Sequence, residues 1–370
     1  MYLKKNEMEK IKFFLKKKTF FFRKKIFNSN RIFNRNTIWF IILKKNNKIG
    51  IGECNPLLEK SVSKNRFENE LENLSKRVVS LKKTEVRHYH KYISYSSIFF
   101  GLEQAFLSLK NQFPVLYDSE FFHGKKGISI NALIWLNSFK KKNKGSVIKE
   151  IENRIIEGFS FIKMKISANF FDYQYSVLKK IKKKYPFIKI RVDANGSFEN
   201  MKKTLYCLNK LYDLSIIHSI EQPISSGYWK NMSKICKQSK LPIALDEELE
   251  GIHELKEKKR LLDIIHPEYV VLKPSINGGF YGSKEWILEA NKRKIKWWIS
   301  SSLESNIGLN AITQWTFMMM RKQHLKYSNV DSHVHGLNTG VLYVNNWISP
   351  LEIKEGSIWY NPSLKWKIFF

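Results

Sequence analysis

Cysteine is scarce in this chain of 370 residues: there are three, Cys54, Cys207 and Cys236, with no close spacing among them. Such a set builds no disulfide framework, matches no zinc pattern and suits a reducing cytosol. Long apolar runs are missing as well. Nothing approaches the ~20 apolar residues of a membrane-spanning helix. The N-terminal runs Phe13 to Leu15 and Phe20 to Phe22 are too short for the core of a signal peptide. A soluble, cytoplasmic protein without membrane insertion is therefore expected. No GxxxxGK[ST] phosphate loop occurs, which argues against nucleotide use, and Gly278 and Gly279 read as turn glycines. Acidic residues number 33 against 65 basic ones, a net charge of +32. Arginine, the residue suited to forked phosphate contacts, supplies only 11 of those 65. Lysine, asparagine, isoleucine and phenylalanine are spread evenly, tails and loops included, as drift of base composition toward A and T would leave them. A nucleic-acid partner is not expected.

What is present is a period. Lys165, Asp193, Glu221, Asp246, Lys273 and Ser300 are separated by 28, 28, 25, 27 and 27 residues. Most of them close a short apolar run that reads as a buried strand: FIKMK, IKIRVD, LSIIHSIE, LPIALD, YVVLK and WWIS. A strand with its return helix needs about that many residues, and a (β/α)8 barrel of ~250 residues is eight such units. The fold class expected is α/β: a modified, TIM-like (β/α)8 barrel whose strand ends converge on one mouth. Strand one is placed at Ile128 to Trp135, its helix at about Ser146 to Gly158, the helix after strand seven at Ile307 to Arg321, and strand eight near His333 to Leu337. Before the barrel, strand-like segments at 37–43 and 48–53 flank an Asn-Asn turn, and helical periodicity covers 66–82 and 95–110. This reads as an α+β capping domain over 1–124, a barrel over 125–338, and a tail over 339–370 returning to the first domain. The tail carries strand-like pieces at 341–343 and 357–360.

Three carboxylates on consecutive strands, Asp193, Glu221 and Asp246, repel one another unless a cation lies between them. With only oxygen donors, the set suits a hard ion, Mg²⁺ or Mn²⁺. Glu247 should point away by strand alternation. Lys163 and Lys165, two apart on one strand, share the inward face, and each should depress the other's pKa, leaving one amine able to act as a base. Lys273 arrives from the far side of the ring. Lysines beside a metal suit proton removal from a carbon next to a carboxylate. His333 and His335 read as packing or loop residues, since the acids already supply the ligands.

Lys-x-Lys, the Asp, Glu and Asp of the next three strands, and the following Lys resemble the muconate-lactonising subgroup of the enolase superfamily. GIGECNPL (50–57) and FGLEQAFLSL (100–109) are similar to its capping-domain motifs. ALDEELEGI, VLKPSINGGF, SSSLESNIGLNAI and HGLNTGVLYVNN look most like its dehydratase branch. The resemblance implies Mg²⁺ ligation by Asp193, Glu221 and Asp246. It implies Lys165 as the base of a syn dehydration through an enediolate, with Lys273 stabilising that charge and Lys163 holding the substrate carboxylate. The implied substrate is the small molecule 2-succinyl-6-hydroxy-2,4-cyclohexadiene-1-carboxylate. The alternative is racemisation of an N-acylamino acid or epimerisation of a dipeptide. Ser300, Ser301, Ser302 and Glu304 would then sit beside the substrate, or else form a polar loop capping the next helix. Asn195 would face the substrate or only shape a turn. Arg31, in a lid segment lacking the subgroup's usual glycine, would cover the substrate's second carboxylate or remain solvated. A homo-oligomer is compatible with all of this.

Overall fold

The structure, a computed structural model, describes residues 10–28, 31–59, 62–81, 85–134, 144–324 and 334–369. It opens with three antiparallel strands, β1 (Lys12–Asn28), β2 (Arg31–Lys45) and β3 (Lys48–Cys54), followed by helices α1 (Lys64–Leu81) and α2 (Ser96–Asn111). Next comes β4 (Ile128–Ser129), and then strands and helices alternate. The series runs β5 (Ala132–Ile134), α3 (Lys144–Ile156), β6 (Phe161–Lys165), α4 (Phe171–Lys184), β7 (Lys189–Asp193), α5 (Met201–Tyr212), β8 (Ile217–Glu221) and α6 (Trp229–Gln238). It continues through β9 (Ile243–Leu245), α7 (Leu255–Ile265), β10 (Tyr269–Leu272), α8 (Gly279–Lys292), β11 (Lys296–Ile299) and α9 (Asn306–His324). The tail holds β12 (Leu351–Lys354) and β13 (Ser357–Tyr360).

Strands β5 to β11 form one seven-stranded parallel sheet in sequence order. Its edges approach each other, because His335 bridges Ile130 and Gly336 bridges Ser300, both in parallel sense. Side-chain alternation separates the two faces of the curled sheet. Ile162, Met164, Ile190, Val192, Ile220, Ile243, Leu245, Val270, Leu272, Trp297 and Ile299 face the helices and share one buried core. The intervening residues face inward in two tiers. In the lower tier Ala244, Val271 and Trp298 pack together, and the Arg191 guanidinium lies 3.9 Å over the Trp298 ring. The upper tier is Lys165, Asp193, Glu221, Asp246, Lys273 and Ser300, one tier above residues that pack.

Strand β2 is buried on both faces. Trp39, Ile41 and Leu43 pack on α1 and α2 through Phe67, Leu71, Leu102 and Ala105. Ile38, Phe40 and Ile42 pack with Leu303, Ile307, Tyr343 and Trp347. The N-terminal layer thereby sits against the loop after β11 and against the tail.

Three expectations shift. The run 128–135 is two strands: β4 pairs antiparallel with β13, while β5 enters the parallel sheet. Residues 128 and 129 thus serve a different sheet from residues 132–134, and Trp135 and His333 lie outside the described residues. The piece at 341–343 is largely a 3-10 turn (Gly340–Leu342), with only Tyr343 bridging Phe22 of the first layer. The piece at 357–360 joins β12 and β4 rather than β1 to β3.

Strand β3 runs so close to α2 that Gly50 and Gly52 have no room for a side chain. A Cβ on Gly52 would run into the Gly101 carbonyl, which is backbone and cannot swing aside. Gly52→Val should destabilise the fold by about 3 kcal/mol or more, the upper range for overpacking. Thermal unfolding followed by circular dichroism would show this as a lowered midpoint, and an unchanged midpoint would contradict the packing.

Candidate functional site

One cavity at the C-terminal ends of the parallel strands is lined by Lys163, Lys165, Asp193, Asn195, Asp246, Lys273, Ser300 and Ser301. Parallel register sets the row: Lys165 lies opposite Asp193, and Asp193 opposite Glu221. Lys163 reaches up from the lower tier, its Nζ 2.6 and 2.7 Å from the two Glu221 oxygens and 2.8 Å from Asp193 Oδ2. Lys165 Nζ donates to the same Asp193 oxygen at 2.8 Å and to Asn195 Oδ1. Lys273 Nζ pairs with Asp246 Oδ2. Glu221 lies buried between, 1% exposed.

Burial alone would push the Lys163 ammonium down, but Asp193, Glu221 and Asp246 outweigh it and hold the group above its ordinary value. Lys273 is likewise pulled down by burial and raised overall by Asp246, Glu247 and Glu221. The mutual depression expected for neighbouring lysines is therefore reversed at Lys163, because three anions outweigh one cation in a site where charges are poorly screened. Asp193 is pushed up by burial and held well below the carboxylate range by Lys163 and Lys165. Glu221 is raised well above that range, first by burial and then by Asp193.

The donor set fits a hard cation: oxygen only, from three adjacent strands. The carboxylates here turn to the lysines, and among the described residues no three acidic, imidazole or thiol groups are gathered as ligands. Loading an ion would require ammonium groups to release carboxylate oxygens.

Residues 146–360 match the family described as Enolase C-terminal domain-like. The chain belongs to the enolase superfamily. An o-succinylbenzoate synthase of Desulfotalea psychrophila (strain LSv54 / DSM 12343) is 38% identical over 262 residues, covering 70% of this chain and 66% of that protein. The chain thus aligns with just under two thirds of that relative's length. The crystal structure of MenC from Desulfotalea psychrophila LSv54 superposes with a TM-score of 0.78 at 30% identity, covering 95% of this chain and 99% of that one. The dipeptide epimerase of Enterococcus faecalis V583, solved with Mg and the dipeptide L-Leu-L-Tyr, shares the fold: its TM-score is 0.78 at 14% identity, over 95% of this chain and 97% of that one. Among the described residues, no helix is long and apolar enough to cross a membrane.

Within this superfamily member, several sequence expectations land elsewhere. Glu247 does not point away: strand β9 ends at Leu245, a 3-10 turn starts at Glu247, and the side chain lines the cavity. Its Oε1 accepts from Asn195 Nδ2 at 2.7 Å, so Asn195 connects two site groups and also shapes a turn. Ser302 and Glu304 leave the cavity wall, because Leu303 between them has φ 65° and itself takes the cavity-facing place. His335 is buried in the sheet closure, its Nδ1 accepting from the Ile299 N–H at 3.0 Å, as a packing residue should. Arg31 begins β2, and its side chain lies outside the described residues. Asn131, Asn277, Asn338 and Thr339 also line the cavity, as do Ile26 and Leu58 of the N-terminal layer. None carries a spacing signal of its own, though the VLKPSINGGF motif contains Asn277 and the HGLNTG motif contains Asn338 and Thr339.

Ser302 and Glu304 belong to a second buried network. Glu304 accepts from Ser275 Oγ at 2.6 Å and from Ser302 N at 2.5 Å. Glu53 of β3 accepts from Ser305 N at 2.9 Å, Ser305 Oγ at 2.5 Å and Gly308 N at 2.8 Å, so it occupies the N-terminus of α9. The helix cap expected of this loop is thus completed by a carboxylate from another layer. Burial, then the charge of Glu304, pushes Glu53 from 4.5 up to about 8. Between those values the folded chain holds a proton that the unfolded chain releases, so this contribution to stability is full below pH 4.5 and is lost as pH rises to about 8. Glu53→Gln, neutral throughout, should flatten that decline. Urea midpoints at about pH 5 and about pH 8 check it, and equal slopes in both proteins would refute it.

Proposed function

We propose that this chain is an o-succinylbenzoate synthase, a hydro-lyase of menaquinone biosynthesis. It would remove water from 2-succinyl-6-hydroxy-2,4-cyclohexadiene-1-carboxylate to leave 2-succinylbenzoate. The observation that carries the reading is a single cavity in which Lys165 and Lys273 stand at the two ends of the Asp193–Glu221–Asp246 row. The likeness to the Desulfotalea proteins supports it.

Asp193, Glu221 and Asp246 would hold Mg²⁺ or Mn²⁺, which when bound takes up negative charge building on the substrate carboxylate. Lys165, as a neutral amine, removes the proton from the carbon bearing that carboxylate. The resulting ammonium returns the proton to the departing hydroxyl on the same face. One C–H and one C–O bond break, a C=C bond forms, and water leaves an aromatic ring. Lys273 offers its positive charge to the developing anion and to the ring face. Lys163 keeps Glu221 and Asp193 in place and reaches the substrate carboxylate. Ser300 and Ser301 form a polar wall. Ile26, Leu58 and Leu303 exclude water, and Arg31 would meet the second carboxylate. In this reading residues 1–124 cap a (β/α)8 barrel of residues 125–338, the tail meets the cap through Tyr343 and Trp347 while its 357–360 strand pairs with β4, and the enzyme works in the cytoplasm.

A second reading is favoured by the presence of two lysines reaching one cavity from opposite ends: racemisation of an N-acylamino acid. Purified protein with Mg²⁺ should form the aromatic product, and Lys165→Ala should lose about 10³-fold or more of the rate, the scale of a positioned acid–base group. Persistence of dehydration in that variant would refute the assignment. Deuterium exchange at an amino-acid α-carbon, lost in Lys273→Arg, would favour the second reading.

A further inference from the structure

We propose that Glu247 is a positioning residue that, through Asn195, fixes where the Lys165 nitrogen sits. This rests on the reading of Lys165 as the base. Asn195 stands two residues past Asp193 with φ 43°, in the left-handed region that asparagine tolerates. Its backbone N–H donates to Asp193 Oδ1 at 3.2 Å, so the side chain leaves the strand end in a defined direction. The amide oxygen accepts from Lys165 Nζ, and the amide nitrogen donates to Glu247 Oε1 at 2.7 Å.

A side-chain amide has one accepting and one donating end. Here the Lys165 nitrogen donates and the Glu247 carboxylate oxygen accepts. Placed between the two, the Asn195 amide has one orientation that satisfies both neighbours. Reversing it would aim two donors at each other and two acceptors at each other. Glu247 therefore compels Asn195 to present oxygen to Lys165. Lys165 Nζ is then held at two points, by Asp193 at 2.8 Å from its own strand neighbour and by Asn195. With one hold lost, the flexible four-carbon stem spreads the nitrogen over a wider volume, and reacting geometry suffers.

The local fold favours this role over that of a brace. Asp246 leaves strand geometry with φ −124° and ψ −81°, and this turn swings Glu247 into the cavity. Glu247 Oε2 is buried and meets no hydrogen-bond donor among the described residues. The bond to Asn195 is therefore the hydrogen bond that ties this carboxylate to the site, beside its electrostatic contact with Lys273.

The test compares Glu247→Gln, Glu247→Leu, Asn195→Ala and the Glu247→Leu/Asn195→Ala pair on the full Mg²⁺-loaded chain. Side-chain amide spectra of ¹⁵N-asparagine protein without substrate provide a second readout. Glu247→Leu should lower kcat about tenfold or more while KM changes less than about threefold, the pattern of lost positioning. Glu247→Gln, whose carbonyl still accepts, should lose less. Adding Glu247→Leu to Asn195→Ala should change kcat by less than about twofold, because the two act in series. The Asn195 amide signal, identified by its disappearance in Asn195→Ala, should shift in Glu247→Leu. Additive losses, or an unchanged kcat with an unshifted amide, would overturn the proposal. If Glu247→Leu fails to fold, the isosteric Glu247→Gln decides it by kcat and the amide signal. Activity surviving in Lys165→Ala would instead sink the underlying assignment of the base.

Discussion

Asp193, Glu221 and Asp246 stand on adjacent strands, whose axes are ~4.8 Å apart, with their carboxylates buried. Three such anions side by side are strongly unfavourable unless cations meet them directly. Lys163, Lys165 and Lys273 do so, each touching at least one of the three. The site is thus close to charge balance, yet Glu221 remains raised, first by burial and then by the charge of Asp193. That tension makes the mouth suited to a hard cation and to an anionic substrate.

Short strands with strict alternation make the arrangement affordable. Outward residues such as Ile162, Val192, Ile220 and Leu272 join the helix-facing core, while the inward lower tier of Ala244, Val271 and Trp298 forms the floor of the curled sheet. Functional side chains occupy the inward position at the end of each strand or one residue past it, one tier above that floor. The floor is buried and packed, and the upper tier opens to the cavity.

The N-terminal layer completes the site in two ways. Ile26 and Leu58 contribute apolar wall. Glu53 grips the first turn of α9, just beyond the loop that holds Ser300 and Ser301. The first layer therefore both lines the cavity and anchors one of its loops.

The six spaced residues were legible because a parallel strand with its helix has a nearly constant length, and a period of two tells inward from outward. Lys163 and Lys165 followed from that parity alone. Glu247 did not, since parity holds only while the strand lasts, and nothing in ALDEE marks Leu245 as the end. Of the two readings left open for Ser302 and Glu304, the loop one holds for the same kind of reason: a left-handed Leu303 reverses the loop, and leucine gives no signal for it. The split at 128–135 depended on β13, more than two hundred residues later. The sequence by itself determined the parallel architecture, the carboxylate row and the lysines at its ends, because local periodicity encodes them. Tertiary structure alone decided which loop residues turn in, which acid caps α9 and how Asn195 links Lys165 to Glu247. Those outcomes depend on where strands stop and on contacts between segments far apart in the chain.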